Sequence, residues 1–168
     1  RIDASHLFSC EPYQIAVLAS ASEMLSQIPY VLKPKKKSSI LMVQSDFPAV
    51  TRPWIKYAQE NDCQILFVKE TQENDLTDLI LRKITEKISI VQVSLVQFSS
   101  GTKIDIERLG KETKRFGIKL IVDVTQAAGA LPIKAKDWNA DILLTSGYKW
   151  LGGHGGVGLA YISDEILD

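Results

Sequence analysis

Residues 118–129 have the sequence IKLIVDVTQAAG, and residues 141–150 have the sequence DILLTSGYKW. Each stretch contains a short apolar run, rich in β-branched residues, that leads directly into polar residues. Apolar runs of this length, without alternation, predict strands that are buried on both faces. Two such strands, each followed by polar side chains, favour a parallel sheet with a ligand site beyond the carboxyl ends of its strands.

The rest of the chain alternates between strand and helix patterns in the same way. Strands are predicted at residues 15–18, 39–43, 65–68, 88–93, 118–122, 142–145 and 157–162. Helices are predicted at about residues 22–32, 51–60, 76–87 and 105–116, the last ended by Gly117. The alternation predicts an α/β fold, a three-layer αβα sandwich with a mostly parallel sheet. Ligands should then gather in the loops after Leu18, Val43, Val93, Val122 and Thr145.

Composition and charge exclude several classes of protein. The 168 residues, 45% of them hydrophobic, suffice for one domain with a real core. Twenty basic and twenty acidic side chains leave no net field for nucleic acid or a membrane surface, and the lysine-rich residues 33–37 are interpreted as a solvated connection. No apolar stretch approaches the length of a membrane span. Because Cys10 and Cys63 are isolated, as in a reducing compartment, we expect a soluble cytoplasmic protein.

Two residues at the predicted sheet edge are candidates for chemistry. Asp123 comes directly after an apolar run, where it could also be an ordinary turn residue or helix N-cap. Lys149 follows the next run, with Ser146 three residues before it and the glycine-rich residues 152–158 after it. The plain alternative is a flexible glycine turn that carries a solvated lysine. Taken alone, neither pattern decides between these readings.

Taken together, residues 123–162 resemble the fold-type-I enzymes that use pyridoxal 5'-phosphate (PLP). Within these enzymes, the chain is most similar to the class V aminotransferase group, which includes cysteine desulfurases and kynureninases. The family's Asp-x-x-Gln motif is matched by Asp123 and Gln126, and its Ser-x-x-Lys motif is matched by Ser146 and Lys149. The resemblance is specific because the two motifs are linked, each follows a strand, and their separation is right.

The resemblance implies a role for each of these side chains. Asp123 would keep the pyridine nitrogen of PLP protonated, as an electron sink requires. Gln126 would donate from its amide to the phenolate oxygen of the cofactor. Lys149 would hold the cofactor aldehyde as a Schiff base and then act as the base that moves the α-proton of the substrate. Ser146 and Tyr148 would contact the phosphate.

A phosphate-binding loop is also implied upstream. Residues 20–25, SASEML, resemble the family's Gly-x-Thr-Glu-Ala-Leu loop, although Ser20 replaces the usual glycine. Free amides at a helix N-terminus favour an anion. The backbone of Ala21 and the hydroxyl of Ser22 are therefore candidate phosphate ligands. Without the resemblance, the same residues would be an ordinary helix start.

The loops after the second and fourth strands carry further parts of the resemblance. Residues 46–54, DFPAVTRPW, resemble the segment whose aromatic residue or histidine stacks on the cofactor ring, and Phe47 occupies that position. The alternative is an aromatic side chain wedged under a loop. Residues 93–109 resemble another family segment, but Leu95 stands where many relatives have a polar residue that contacts cofactor or substrate.

The resemblance covers nearly the whole chain and implies an incomplete enzyme. The sequence begins at Arg1 without a methionine and ends at Asp168 in a helical pattern. We therefore expect residues 1–168 to be the PLP-binding large domain of a longer protein, whose C-terminal small domain is absent from this segment. The family further implies a homodimer with the active site at the interface. His6 and His154 have no convergent partners, so no metal site is predicted.

The predicted function is that of a class V aminotransferase-like enzyme acting on a small amino acid. Histidine is typical of desulfurases at the stacking position, where it also moves protons, so Phe47 favours transamination or a kynureninase-like reaction. A kynureninase-like hydrolase and a cysteine desulfurase-like lyase remain the alternatives. A non-catalytic relative that acts in binding or assembly would not need Lys149, and a nucleotide-binding domain would need a glycine-rich motif at residues 20–22.

Overall fold

The computed structural model describes residues 1–167 of the chain as seven strands, six helices and one short 3-10 turn. The strands are β1 (Ile15–Leu18), β2 (Ser39–Val43), β3 (Gln64–Val68), β4 (Ile88–Ser94), β5 (Lys119–Asp123), β6 (Ile142–Ser146) and β7 (Gly158–Ile162). The helices are α1 (Ile2–Phe8), α2 (Ala21–Leu32), α3 (Pro48–Asn61), α4 (Leu76–Leu81), α5 (Ile106–Phe116) and α6 (Asp164–Leu167), and the 3-10 turn is Pro12–Gln14.

All seven strands form one sheet in the order β1-β7-β6-β5-β4-β2-β3. The four pairs among β2 to β6 are parallel, whereas β7 is antiparallel to both of its neighbours, β1 and β6. Strand β1 therefore runs in the same direction as β6, so the carboxyl ends of β1, β2, β4, β5 and β6 lie at one edge. The predicted mostly parallel α/β sheet is confirmed, and the five nominated loops share this edge.

Two apolar cores pack on the two faces of the sheet. One core joins the sheet to α1, α4 and α5 through residues such as Phe8, Ile80 and Leu109. The other core joins it to α2 and α3 through residues such as Leu25 and Trp54. Because both faces are covered, strands β2 and β6 are buried along their whole length, as their unbroken apolar sequences predict.

The helix predicted at residues 76–87 is wrong in its second half. Helix α4 ends at Leu81, and the backbone N–H groups of Lys83 and Ile84 donate to carbonyls only three residues back. These tighter turns let the chain reverse before β4. Ile84 is still buried in the core. Its helical spacing from Ile80 therefore arises because a turn, rather than a helix, carries its side chain into the core.

Two further differences from the prediction concern helices α1 and α3. Helix α1 was not predicted, because seven residues are too few to show a helical period. Helix α3 begins three residues before the predicted start, because Pro48 occupies its first position. The backbone N–H that proline lacks would have no partner within the helix at that position. The end of α5 is confirmed, with Gly117 in the left-handed region at φ 65°.

The surface carries the solvated lysine-rich connection that the sequence predicts. The lysines of residues 33–37 are exposed in the connection between α2 and β2. Cys10 and Cys63 are free thiols, but both are only partly buried. Within residues 1–167, no helix is long and apolar enough to cross a membrane.

Candidate active site

One cleft at the carboxyl edge of the sheet brings together every predicted cofactor-binding residue. These residues come from the loops after β1, β2, β5 and β6, which the parallel strands direct to the same edge. The cleft is lined by Ala21, Ser22, Phe47, Asp123, Gln126, Ser146, Tyr148 and Lys149, together with Leu25, Ala49, Ser94, Phe98 and Thr125. The loops therefore assemble one site, in which each predicted residue has access to the same small volume.

Asp123, the last residue of β5, places a buried carboxyl group at the floor of the cleft. Its side chain is 6% exposed, and its Oδ1 accepts a hydrogen bond from the backbone N–H of Thr125 at 2.7 Å. Burial raises the pKa of Asp123 from 3.8 to about 6; the hydrogen bonds from Thr125 and the charge of Lys149 oppose this rise, and the charge of Asp46 adds to it. A cation in the cleft would stabilise the ionised carboxylate.

Ser146, the last residue of β6, ties three loops together. Its Oγ accepts a hydrogen bond from the backbone N–H of Ala21 at 3.2 Å, and its own N–H donates to Oγ1 of Thr125 at 3.1 Å. The hydroxyl thus lies at the first turn of α2, where unpaired backbone N–H groups carry partial positive charge. Ser22 lines the cleft from the same turn. This arrangement suits an anion.

The start of α2 is fixed by the N-cap residue Ser20 and by Glu23, which the sequence prediction missed. Oγ of Ser20 accepts from the N–H of Glu23 at 3.1 Å, and the Glu23 carboxylate accepts from the N–H of Ala19 at 2.9 Å. Ser20 has extended backbone angles, φ −165° and ψ 161°, so glycine is not required there. Glycine is required instead at Gly158, because a Cβ there would come within 2.6 Å of the Ser20 carbonyl carbon.

Lys149 lies in a tight turn that closes back on Gly147. The N–H of Gly152 donates to the Lys149 carbonyl at 3.0 Å, and the N–H of Gly153 donates to the Gly147 carbonyl at 2.9 Å. Lys149 is half-buried, and its charge acts on Asp123 across the cleft. Tyr148 is 54% exposed at the rim. Lys149 is thus a side chain of the cleft rather than a solvated lysine of a flexible turn.

Phe47 lies at the mouth of the cleft, just before α3. Its ring is 40% exposed and forms an edge-to-face contact with Phe98, with 5.4 Å between ring centroids. The ring is therefore not wedged under a loop, and one face remains available for stacking. Leu95 points into the core, whereas its neighbour Ser94 lines the cleft.

Ser94 and Asp46 are site residues that the sequence reasoning missed. Ser94 follows the pattern that singled out Asp123, a polar residue where an apolar strand ends at the ligand edge, whereas Asp46 lies three residues beyond the end of β2. The hydroxyl of Ser94 donates to the Asp46 carboxylate at 2.6 Å. That pattern, applied to β4 as well, would have found Ser94 but not Asp46.

Comparison with known proteins identifies the family. The family model described as aminotransferase class V matches residues 1–168 of the chain. The chain belongs to this family. A class V relative, an uncharacterised aminotransferase YcbU from Bacillus subtilis, is 27% identical over 168 residues, which are the whole of this chain and 45% of that protein. The predicted resemblance is confirmed.

Other relatives carry names that denote different reactions. A probable cysteine desulfurase from Borreliella burgdorferi is 31% identical over 80% of this chain and 32% of that protein, and a kynureninase from Yarrowia lipolytica is 30% identical over 79% of this chain and 33% of that protein. The solved apo structure of a cysteine desulfurase from Thermococcus onnurineus superposes with a TM-score of 0.89 at 25% identity, covering 96% of this chain and 41% of that one. The chain spans less than half the length of these relatives.

The cofactor of the class V family is PLP, and the residues of the cleft fit it. The buried carboxyl of Asp123, with its raised pKa, suits a partner that carries positive charge, as a protonated pyridine nitrogen does. The hydroxyl of Ser146 at the start of α2 suits a phosphate. The exposed face of Phe47 suits an aromatic ring, and Lys149 is an amine within the same cleft.

Proposed function

We propose that this chain is the cofactor-binding domain of a PLP-dependent enzyme that acts on an amino acid, with Lys149 as the covalent anchor of the cofactor. One observation carries the proposal: Lys149 and Asp123 line the same cleft and are close enough for the charge of the lysine to lower the pKa of the buried carboxyl. An amine and a carboxyl group on one cleft are what an aldehyde cofactor with a basic ring nitrogen needs.

Each polar group near the ring of the cofactor then has a defined role. Bound PLP supplies an electron sink for negative charge that develops on the substrate. Asp123, ionised beside a protonated ring nitrogen, holds the proton there. Gln126 donates from its amide to the phenolate oxygen. The amine of Lys149 would hold the cofactor through its aldehyde, and it would serve as the base that moves the proton at the substrate α-carbon.

The groups on the α2 side and at the rim bind and orient. The Ala21 backbone and the hydroxyls of Ser22 and Ser146 form the proposed phosphate site at the positive end of α2. Tyr148 reaches the phosphate from the rim. Phe47 stacks on the ring and fixes its plane, which aligns the reacting bond of the substrate with the ring system.

For the reaction itself, we propose transamination of a small amino acid. The supporting observation is Phe47, whose side chain cannot carry a proton, at the position proposed to face the ring. The alternatives are a kynureninase-like hydrolase reaction and a cysteine desulfurase-like lyase reaction. Relatives with those names support these alternatives as well as they support transamination. Single amino acids added to the loaded protein distinguish the reactions by product: a keto acid, a cleaved side chain, or sulfide.

We further propose that the protein is a cytoplasmic homodimer in which the partner completes the cleft. Four aromatic side chains are exposed in or beside the cleft: Phe47, Phe98, Tyr148 and Trp150. Exposed apolar groups in one region are typical of an interface. Light scattering of the full-length protein should give twice the subunit mass. A monomeric mass would contradict the dimer proposal.

The anchor is tested by absorbance spectroscopy of the full-length protein incubated with PLP. We expect a visible band that disappears on borohydride reduction, whereas Lys149→Ala shows no reducible band. Lys134→Ala is the matched control, because Lys134 is an exposed lysine outside the cleft. A normal reducible band in Lys149→Ala would refute the assignment, and a wild-type protein without the band would favour a non-catalytic relative.

A further inference from the structure

A second buried carboxyl group lies beside the cleft and has no role in the proposed mechanism. Asp46 follows β2, and its side chain is 5% exposed. Its Oδ1 accepts from the Ser94 hydroxyl at 2.6 Å and from the backbone N–H of Phe47 at 2.7 Å. Its Oδ2 accepts from the backbone N–H of Ser94 at 2.8 Å and from the Gln97 amide at 3.4 Å. Both oxygens are thus surrounded by donors.

These bonds connect the two loops that form the mouth of the cleft. One loop carries Phe47, and the other runs from Ser94, which lines the cleft, to Phe98. Phe47 and Phe98 meet edge to face across the junction of the two loops. In the part of the chain that the structure describes, the hydrogen bonds between these two loops all run through the Asp46 carboxylate.

We propose that Asp46 is a positioning residue of the active site, which holds the loop of Phe47 on the end of β4 and places a second negative charge near Asp123. The proposal rests on the proposed function, because the position of Phe47 matters only if a ring stacks on it. Asp46 itself does not line the cleft. It acts through Phe47, Ser94 and Asp123.

The electrostatic part follows from the charges that face Asp123. Asp46, from the loop after β2, raises the pKa of Asp123, and Lys149, from the loop after β6, lowers it. Burial raises the pKa of Asp46 as well, although its four donors oppose the rise. If Asp46 becomes neutral, Asp123 ionises at lower pH. Cofactor affinity, which needs ionised Asp123, should then persist to lower pH.

The variant Asp46→Asn tests both the positioning of the Phe47 loop and the electrostatic effect on Asp123. Whichever way its amide is turned, the NH₂ group faces a backbone N–H, either that of Phe47 or that of Ser94, so at least one backbone bond is lost. We expect the dissociation constant for PLP at pH 8 to rise about tenfold, and the acid limb of the affinity profile to move to lower pH. Both are measured by absorbance titration of the full-length protein.

Asp141→Asn is the matched control. Asp141 is also a buried carboxylate, 8% exposed, and it accepts from the backbone N–H of Leu120 at 2.7 Å and from Lys119 at 2.8 Å. It lies at the opposite edge of the sheet, before β6. Asp141→Asn should lower the melting temperature by about as much as Asp46→Asn does. It should leave the dissociation constant for PLP and the acid limb of the affinity profile within error of wild type.

The possible results separate this proposal from the proposed function. If wild type takes up no PLP, the proposed function fails, and this proposal fails with it. If wild type binds PLP and Asp46→Asn binds it within twofold and with the same acid limb, only this proposal is overturned. If Asp46→Asn does not fold, Ser94→Ala replaces it, since it removes one donor. A rise of about threefold in the dissociation constant then supports the proposal, and no change overturns it.

Discussion

Asp123 should make the cofactor-free protein less stable at neutral pH than at acid pH. An unfolded aspartate loses its proton near pH 3.9, whereas burial raises the pKa of folded Asp123 to about 6. Between these values the folded state binds more protons than the unfolded state, so the free energy of unfolding falls as pH rises. The difference of about two pKa units corresponds to about 3 kcal/mol in the free energy of unfolding. This stabilisation, present at acid pH, is fully lost by pH 7.

Asp123→Asn should remove this penalty. Asparagine is neutral at every pH, and its side-chain oxygen can still accept from the N–H of Thr125. We therefore expect the cofactor-free variant to be about 2–3 kcal/mol more stable than wild type at pH 7, with little difference near pH 4. The assay is urea unfolding of the cofactor-free protein at both pH values. PLP binding should weaken in the same variant, since the ring nitrogen loses its counter-charge.

A surface carboxylate provides the control for this experiment. Asp78 pairs with Arg108 at 2.8 Å, but both side chains are largely exposed. Asp78→Asn should change the unfolding free energy by less than about 1 kcal/mol at both pH values. If Asp123→Asn is no more stable than wild type at pH 7, the argument from burial is refuted.

Two further predictions concern the phosphate end of the cleft. Gly158→Ala should lower the unfolding free energy by about 1–3 kcal/mol and weaken PLP binding, because its Cβ would meet the Ser20 backbone at the start of α2. Thermal unfolding measures this, and Gly155→Ala, whose Cβ would meet nothing within 4 Å, should stay within about 1 kcal/mol of wild type. Ser146→Ala should reduce the preference for PLP over unphosphorylated pyridoxal about tenfold in competition titrations, and an unchanged preference would contradict a phosphate contact.

The strands and their shared edge could be predicted because burial on both faces leaves a local mark in the sequence. Residues 39–43 and 142–145 are apolar without alternation, and each becomes a fully buried strand. Asp123, Ser146 and Lys149 could be placed on one cleft because parallel strands end at one edge. The same logic does not extend to Ile84, whose helical spacing comes from packing in a turn.

The parts of the site that could not be predicted depend on contacts between distant segments. Asp46 meets Ser94 across 48 residues, and the need for glycine at position 158 comes from the backbone of Ser20. Neither contact leaves a local pattern in the chain. The N-cap contacts of Ser20 and Glu23 are local, but the comparison with a family glycine at position 20 drew attention away from them.

The most direct test of the account is to find which lysine carries the cofactor. The full-length protein is incubated with PLP, reduced with borohydride, digested and mapped by mass spectrometry. The account predicts a single pyridoxyl modification, on Lys149, which is absent when Asp123 and Lys149 are both replaced. A modification on another lysine, or one spread over several exposed lysines, would contradict it.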